Sequence, residues 1–182
     1  DVLTSRGLGD VYKRQTYLGA NGWLLTMSGL RVLLDPWLSG PLVFPPGAWL
    51  LKGEMPELMP IPDQLDLLLL TQGLPDHAHP ETLQTLSKQI PVVASAAAAR
   101  VVQRLGFETI TELRPGDTTT IAGLKIQATA GAAVPAVENG YLLDWHEGSL
   151  YLEPHGVLDP AIDQRSVDTV SYTHLTLPTI VG

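Results

Sequence analysis

The 182-residue chain reads as an α/β (α+β) layered protein. Three observations lead there. The apolar run Leu65 to Leu70 has the length of one buried strand and ends in a polar turn that runs into a Pro80-Glu81 helix start. Strand and helix patterns alternate up to Leu105, and from Glu108 onward a succession of short strands forms a meander. Apolar residues make up 45% and charged residues 16%, the balance of a soluble globular domain, and the length suits a single one.

In chain order, Tyr17 to Gly19, Gly22 to Met27 and Leu30 to Leu34 read as strands, punctuated by Asn21 and by Ser28-Gly29, so the chain opens on a β-hairpin. Leu38 to Pro62 is dense in Pro and Gly yet carries Phe44, Trp49 and several Leu and Met. Proline fixes φ and lacks an N–H, which forbids a regular helix or central strand there. The apolar content is too high for a solvated linker, which leaves an ordered loop with two roles open, a lid over a cleft or a packing loop over a sheet edge. Pro80 to Gln89 reads as a short helix, Val92 to Ala94 as a buried strand, and Ala96 to Leu105 as a helix capped by Ser95 and ended by Gly106. Glu108 to Leu113, Thr118 to Ile121, Leu124 to Thr129, Tyr141 to Asp144 and Ser149 to Glu153 follow as strands. Turn formers separate them, among them Pro115-Gly116-Asp117, Ala122-Gly123 and Trp145 to Gly148.

The totals exclude several classes. A formal charge of −8 and a pI near 4.9 argue against phosphate-backbone binding, and the eleven Lys and Arg form no basic stripe, so no nucleic-acid partner is expected. The chain has no cysteine, which removes disulfides, thiolate metal sites and thiol nucleophiles together. Its apolar runs fall far short of the roughly 18 residues that a membrane span needs, and no basic segment followed by an apolar one opens it. A cytoplasmic protein with no membrane partner is the default expectation. Residues 1–15 and 171–182 resemble translated adapter or vector sequence and are expected to be non-native flanks, although Thr173 to Leu177 alternates like a strand. Residues 16–170 alone hold 8 basic against 17 acidic side chains, so the acidic character persists without the flanks.

Chemistry concentrates in Thr71 to Pro80, which reads Thr-Gln-Gly-Leu-Pro-Asp-His-Ala-His-Pro and holds a carboxylate and two imidazoles in a turn after a buried strand. This stretch resembles the signature of the metallo-β-lactamase-fold hydrolases, in which a Thr is followed by His-x-His-x-Asp-His. Asp35-Pro36-Trp37, after the opening hairpin, resembles that family's Asp-Pro-Trp. The combination with Glu153-Pro154-His155 is similar to a branch of such proteins known from photosynthetic organisms. The resemblance implies a partial αββα sandwich over residues 16–170, one that stops short of the strands and helices building its second half. A half sandwich leaves an apolar face or edge without cover.

Gln72 and Leu74 stand at the first two histidine positions of the signature, while Asp76 and His77 are retained. A Gln amide is a weak neutral donor and Leu offers none, so the family's first metal site is expected to be absent. For the second, the resemblance implies Asp76, His77 and His155 as metal ligands, His155 standing where the family has its bridging aspartate. Two imidazoles and a carboxylate suit one divalent ion, with zinc the first choice. Glu153 is a fourth ligand or a general base, and Asp76 or Glu153 would orient a water. Asp35 either orients a ligating imidazole or caps the turn before Pro36. His79 reads as a partly exposed helix cap or an outer donor, His146 as exposed, and His174 lies in the suspect tail. Without the resemblance, Asp76 reads as a turn cap and His77 as bonded to a neighbouring strand.

The function implied is an ester or phosphoester hydrolase with an altered, mononuclear centre and a small-molecule substrate. Two alternatives stand beside it: a binding module that kept the fold and lost the chemistry, and an inactive gene fragment.

Overall fold

The computed structural model describes residues 13–44, 47, 52–54, 59–133, 137–162 and 165–171. In chain order the elements are β1 (Lys13–Gly19), β2 (Gly22–Met27), β3 (Leu30–Leu34), β4 (Leu42–Val43), β5 (Lys52–Gly53), β6 (Leu67–Leu70), α1 (Pro80–Thr85), β7 (Val92–Ala94), α2 (Ala96–Arg104), β8 (Ile110–Glu112), β9 (Thr118–Ile121), β10 (Leu124–Ala133), β11 (Val137–Trp145), β12 (Gly148–Leu152) and β13 (Thr169–Ser171).

Two sheets form the body. The first has the order β1-β2-β3-β6-β7-β8, and the second β13-β12-β11-β10-β9. β1, β2 and β3 pair antiparallel through tight turns, whereas β3, β6, β7 and β8 are all parallel. Parallel pairing sends the carboxyl ends of β3, β6 and β7 to one edge, so Asp35, Thr71 and Ser95 emerge side by side there. That edge is where open α/β sheets present ligands.

The four leucines of β6 show how sequence becomes layers. Successive side chains of a strand point to opposite faces. Leu67 and Leu69 join Val32, Leu34 and Val93 in a core shared with Leu124, Ile126, Tyr141, Leu143, Leu150 and Leu152 of the second sheet. Leu68 and Leu70 face the other way, packing with Leu33, Val92, Leu83 of α1 and Ala98 and Val102 of α2. Each fully buried Leu contributes about 1.5–3 kcal/mol of transfer free energy. A strand apolar on both faces is the mark of a sheet covered twice. The outer face of the second sheet carries a smaller cluster of Leu142, Tyr151 and Ile162, with Val167 against it.

Three bonds tie the sheets together at the ligand edge. The Asn139 N–H donates to the Thr71 carbonyl at 3.0 Å, the Tyr141 hydroxyl to the Leu70 carbonyl at 2.9 Å, and the Asn139 side chain to the Leu113 carbonyl at 2.8 Å. β11 is thereby fixed across the end of β6.

The expected fold class holds, and so do the bounds of the strands at Gly22–Met27, Leu30–Leu34, Val92–Ala94 and Thr118–Ile121. Other elements differ for identifiable reasons. α1 stops at Thr85, before the Lys88 ammonium donates to the Leu83 carbonyl, rather than continuing to Gln89. β11 begins at Val137 and β10 runs to Ala133, because the two pair across a register shift between Ala130 and Ala133. β13 was not expected: its three residues pair parallel with β12, a partnership no local pattern announces. β1 starts at Lys13, so Lys13 to Gln15 of the segment read as flank pair with Met27 to Leu25. Within Leu38 to Pro62, the described residues form the β4–β5 ladder, Met59 N–H donates to the Leu38 carbonyl, and Trp49 lies outside the described residues.

Gly73, in the turn after β6, sits directly on α2. A Cβ there would lie 2.8 Å from the Ala97 carbonyl carbon and 2.9 Å from its oxygen, closer than real Cβ atoms approach. Gly73→Ala is expected to lower stability by about 1–3 kcal/mol, the usual range for overpacking, measured as a lower urea midpoint at unchanged slope; an unchanged midpoint would contradict this packing.

Candidate metal centre

The centre is built on Asp35. Its backbone adopts φ 40°, a conformation uncommon for a residue with a Cβ, and it turns the carboxylate inward with 1% exposure. Oδ1 accepts the Thr71 N–H at 2.8 Å, while Oδ2 lies 2.5 Å from the Thr71 hydroxyl and 2.8 Å from His77 Nδ1. Of the two roles open from sequence, Asp35 therefore orients an imidazole. Strain of this kind persists where the surroundings over-determine it, and here they do.

His77 is fully buried. Its Nδ1 faces Asp35, and its Nε2 lies 3.3 Å from Asp76 Oδ2 and 3.0 Å from the Asn21 side-chain amide. Burial acts to push the ring down, but the charge and hydrogen bond of Asp35, then Asp76, outweigh it and push it up to about 10. Asn21 also reaches the Asp76 carboxylate and carbonyl, at 3.2 and 3.4 Å. With the ring neutral the amide nitrogen faces Nε2; with the ring charged the amide oxygen does. Asp76 Oδ1 is buried and has no hydrogen-bond partner.

The second sheet supplies the other half. The His155 ring lies 5.4 Å from the His77 ring, centroid to centroid, tilted by 36°. His155 Nδ1 is 2.8 Å from Glu138 Oε2, and that carboxylate pushes the ring up, with burial opposing. Glu138 opens β11 and Glu153 follows β12, and antiparallel pairing of Tyr141 with Leu152 brings both to one edge. Both are buried, at 1% and 2% exposure. Glu153 Oε2 accepts the N–H groups of His155 and Val157 at 2.9 and 2.7 Å, and Oε1 is unpartnered. Burial raises its pKa, with those two N–H groups opposing. Donor atoms of Glu138, Glu153 and His155 all lie within 4.8 Å of one another.

Of the residues read from sequence, Asp76 thus stands against His77, His77 beside His155, and His155 beside Glu153. His77 offers no nitrogen that is not already engaged. Glu138 was missed. The signal was a Glu-Asn pair between Val137 and Gly140, a charged residue in an otherwise apolar stretch leading into Tyr141. His79 is a helix cap, as read, but buried rather than partly exposed: Nδ1 accepts the Thr82 N–H at 3.3 Å, Nε2 meets the Pro41 carbonyl at 3.2 Å, and the Trp37 ring lies 6.3 Å away. His146 is exposed at 94%, paired at 3.8 Å with Glu147. His174 lies outside the described residues.

The site fits a divalent cation on charge. Asp35, Asp76, Glu138 and Glu153 are four buried acidic side chains against two imidazoles, and burial disfavours the charged form of Glu153. Among the described residues, the ion pairs of Lys and Arg lie elsewhere, at Lys52–Glu54, Arg114–Glu112 and Arg165–Asp144. A buried charge without compensation costs several kcal/mol. The unpartnered oxygens on Asp76, Glu138 and Glu153 are hard donors of the kind a divalent ion takes.

In chelator-treated protein His77 sets a pH dependence of stability. Its folded value, about 10, lies above the ordinary 6.5, so its contribution is fully present below ~6.5 and is lost as pH rises through 10. Urea unfolding of wild type and His77→Gln should show the stability difference between them shrinking across that window; a difference that grows with pH would contradict the assigned pairing.

Comparison with known proteins agrees with this architecture. The model of the beta-lactamase superfamily domain matches residues 14–171. The chain is 28% identical over 151 residues to a UPF0173 metal-dependent hydrolase of Methanopyrus kandleri, covering 76% of this chain and 60% of that protein. It is 32% identical over 99 residues to one of Thermoplasma acidophilum, covering 54% of this chain and 38% of that one. The chain thus spans 60% or less of the length of these curated relatives. Among solved structures, the isothiocyanate hydrolase from Delia radicum gut bacteria superposes with TM-score 0.62 at 19% identity, over 82% of this chain and 66% of that one. CmlA, a diiron beta-hydroxylase from Streptomyces venezuelae, gives 0.58 at 21% identity, over 77% and 29%. At such identities these likenesses concern the fold alone. Matched by the family model from its first strand to its last, the chain belongs to the beta-lactamase superfamily.

Proposed function

We propose that this chain is the metal-dependent hydrolase part of a beta-lactamase-superfamily protein, with an altered centre that holds one divalent cation at the sheet edge where Asp76, His77, Glu138, Glu153 and His155 gather. The observation that carries the reading is the set of buried carboxyl oxygens without a hydrogen-bond partner at the sheet edge, on Asp76, Glu138 and Glu153. The two UPF0173 relatives, named as metal-dependent hydrolases, support it.

When bound, such an ion supplies a Lewis acid for an ester or phosphoester oxygen and a water acidified toward a pKa of ~7. The chain's own residues do the rest. Asp35 holds the His77 ring in one orientation through Nδ1, the arrangement by which carboxylates fix ligating imidazoles. Asp76 Oδ1 and Glu153 Oε1 are the proton acceptors on offer, each buried with no hydrogen-bond partner. The negative surroundings favour a substrate that enters neutral or brings its charge to the cation. The chain's acidity favours a small molecule over a nucleic-acid strand.

Purified protein reconstituted with zinc, manganese or iron is expected to retain about one ion per chain after dialysis, and to cleave nitrophenyl esters or phosphodiesters in a chelator-sensitive way. Metal analysis that finds no retained ion under all three conditions would remove the hydrolase reading. A retained ion without cleavage of either substrate class would leave the binding-module reading in its place.

A further inference from the structure

Resting on the cation proposed above, the position of the ion follows from how Glu138 and His155 meet. His155 Nδ1 and Glu138 Oε2 are 2.8 Å apart, and the second Glu138 oxygen, Oε1, is buried with no hydrogen-bond partner. Two donor atoms at that distance can become co-ligands of a third atom when the ion displaces the ring proton. Ligand atoms ~2.0–2.2 Å from one ion stand roughly 3 Å apart in just this way.

Glu153 completes the geometry. Its Oε2 is anchored by the main-chain N–H groups of His155 and Val157, which leaves Oε1 buried, unpartnered and within 4.8 Å of the other two donors. The carbon frame holding it is tight: a Cβ on Gly140 would lie 3.3 Å from Glu153 Cγ and 2.4 Å from Thr129 Oγ1. The set Asp76, His77 and His155 lacks this convergence, because both His77 nitrogens are engaged, one by Asp35 and one by Asn21 and Asp76.

We infer that the cation is held by Glu138, Glu153 and His155, all contributed by the second sheet, and that Asp76 stands beside it as the free carboxylate. Two carboxylates and one imidazole make an oxygen-rich cage that suits manganese or magnesium ahead of zinc. Glu153 is then a ligand and Asp76 Oδ1 the remaining acceptor for a proton from water. His77, locked between Asp35 and Asn21, serves as a wall of the site.

The test uses manganese as the probe, with equilibrium dialysis for affinity and electron spin resonance for ligand nuclei, on wild type, Glu138→Gln, Glu153→Gln, Asp76→Asn, His77→Ala and His155→Ala. Far-ultraviolet circular dichroism confirms that each is folded. Glu138→Gln and Glu153→Gln should each weaken manganese binding by ~100-fold or more, at or beyond the 10–100-fold typical of an outer partner, while Asp76→Asn changes it by less than about tenfold. Wild type should show coupling to one imidazole nitrogen, absent in His155→Ala and kept in His77→Ala. Binding that survives Glu138→Gln but is lost in Asp76→Asn, or coupling to two imidazole nitrogens, would overturn this assignment while leaving the proposed hydrolase standing. Absence of any manganese, zinc or iron binding in wild type would overturn both.

Discussion

The burial of four carboxylates with only two imidazoles to balance them is the constraint on which the rest of this structure depends. Apolar strands and helices can be satisfied by many arrangements, but a carboxylate removed from water must find positive charge or donors in a fixed geometry. Asp35 finds them within the protein, in the Thr71 N–H and hydroxyl and in His77. Asp76, Glu138 and Glu153 each keep a buried oxygen that does not. The proposed cation would supply at this edge of the sandwich the charge those oxygens lack.

Fold and site are coupled through β6. Its leucines fill cores on both faces of the first sheet, and its last carbonyl and the next one receive bonds from Tyr141 and Asn139 of the second sheet. Those bonds set where β11 crosses, and so where Glu138 stands. Asp35, one residue past β3, is tied to the same point by its N–H to the Leu69 carbonyl at 3.1 Å. Displacing any of these strands would move carboxylates from both sheets relative to one another.

Much of this was legible in the sequence and part of it was not. The run Leu65 to Leu70 followed by Thr71 to Pro80 announced both the central strand and the polar turn, because a doubly buried strand needs consecutive apolar residues and its end needs turn formers. Asp35 was legible as a candidate through its Asp-Pro-Trp setting, although its choice between orienting an imidazole and capping a turn was not. Glu138 escaped because Ala130 to Ala136 carries Gly and Pro and resembles a break between strands, whereas β10 runs on to Ala133 and β11 starts already at Val137, the two pairing with each other. β13 escaped for the same reason: a three-residue parallel strand is defined by its partner. His79 was legible as a cap, but its burial depends on Trp37 and Pro41, more than 35 residues away in the chain.

The account turns on whether a cation neutralises the buried carboxylates, and anomalous diffraction from crystals grown with manganese tests this most directly. The expected result is one strong peak within about 2.2 Å of donor atoms of Glu138, Glu153 and His155, with Asp76 facing it. A map without a peak at this edge, in which the carboxylates instead share protons with one another at hydrogen-bond distance, would contradict it.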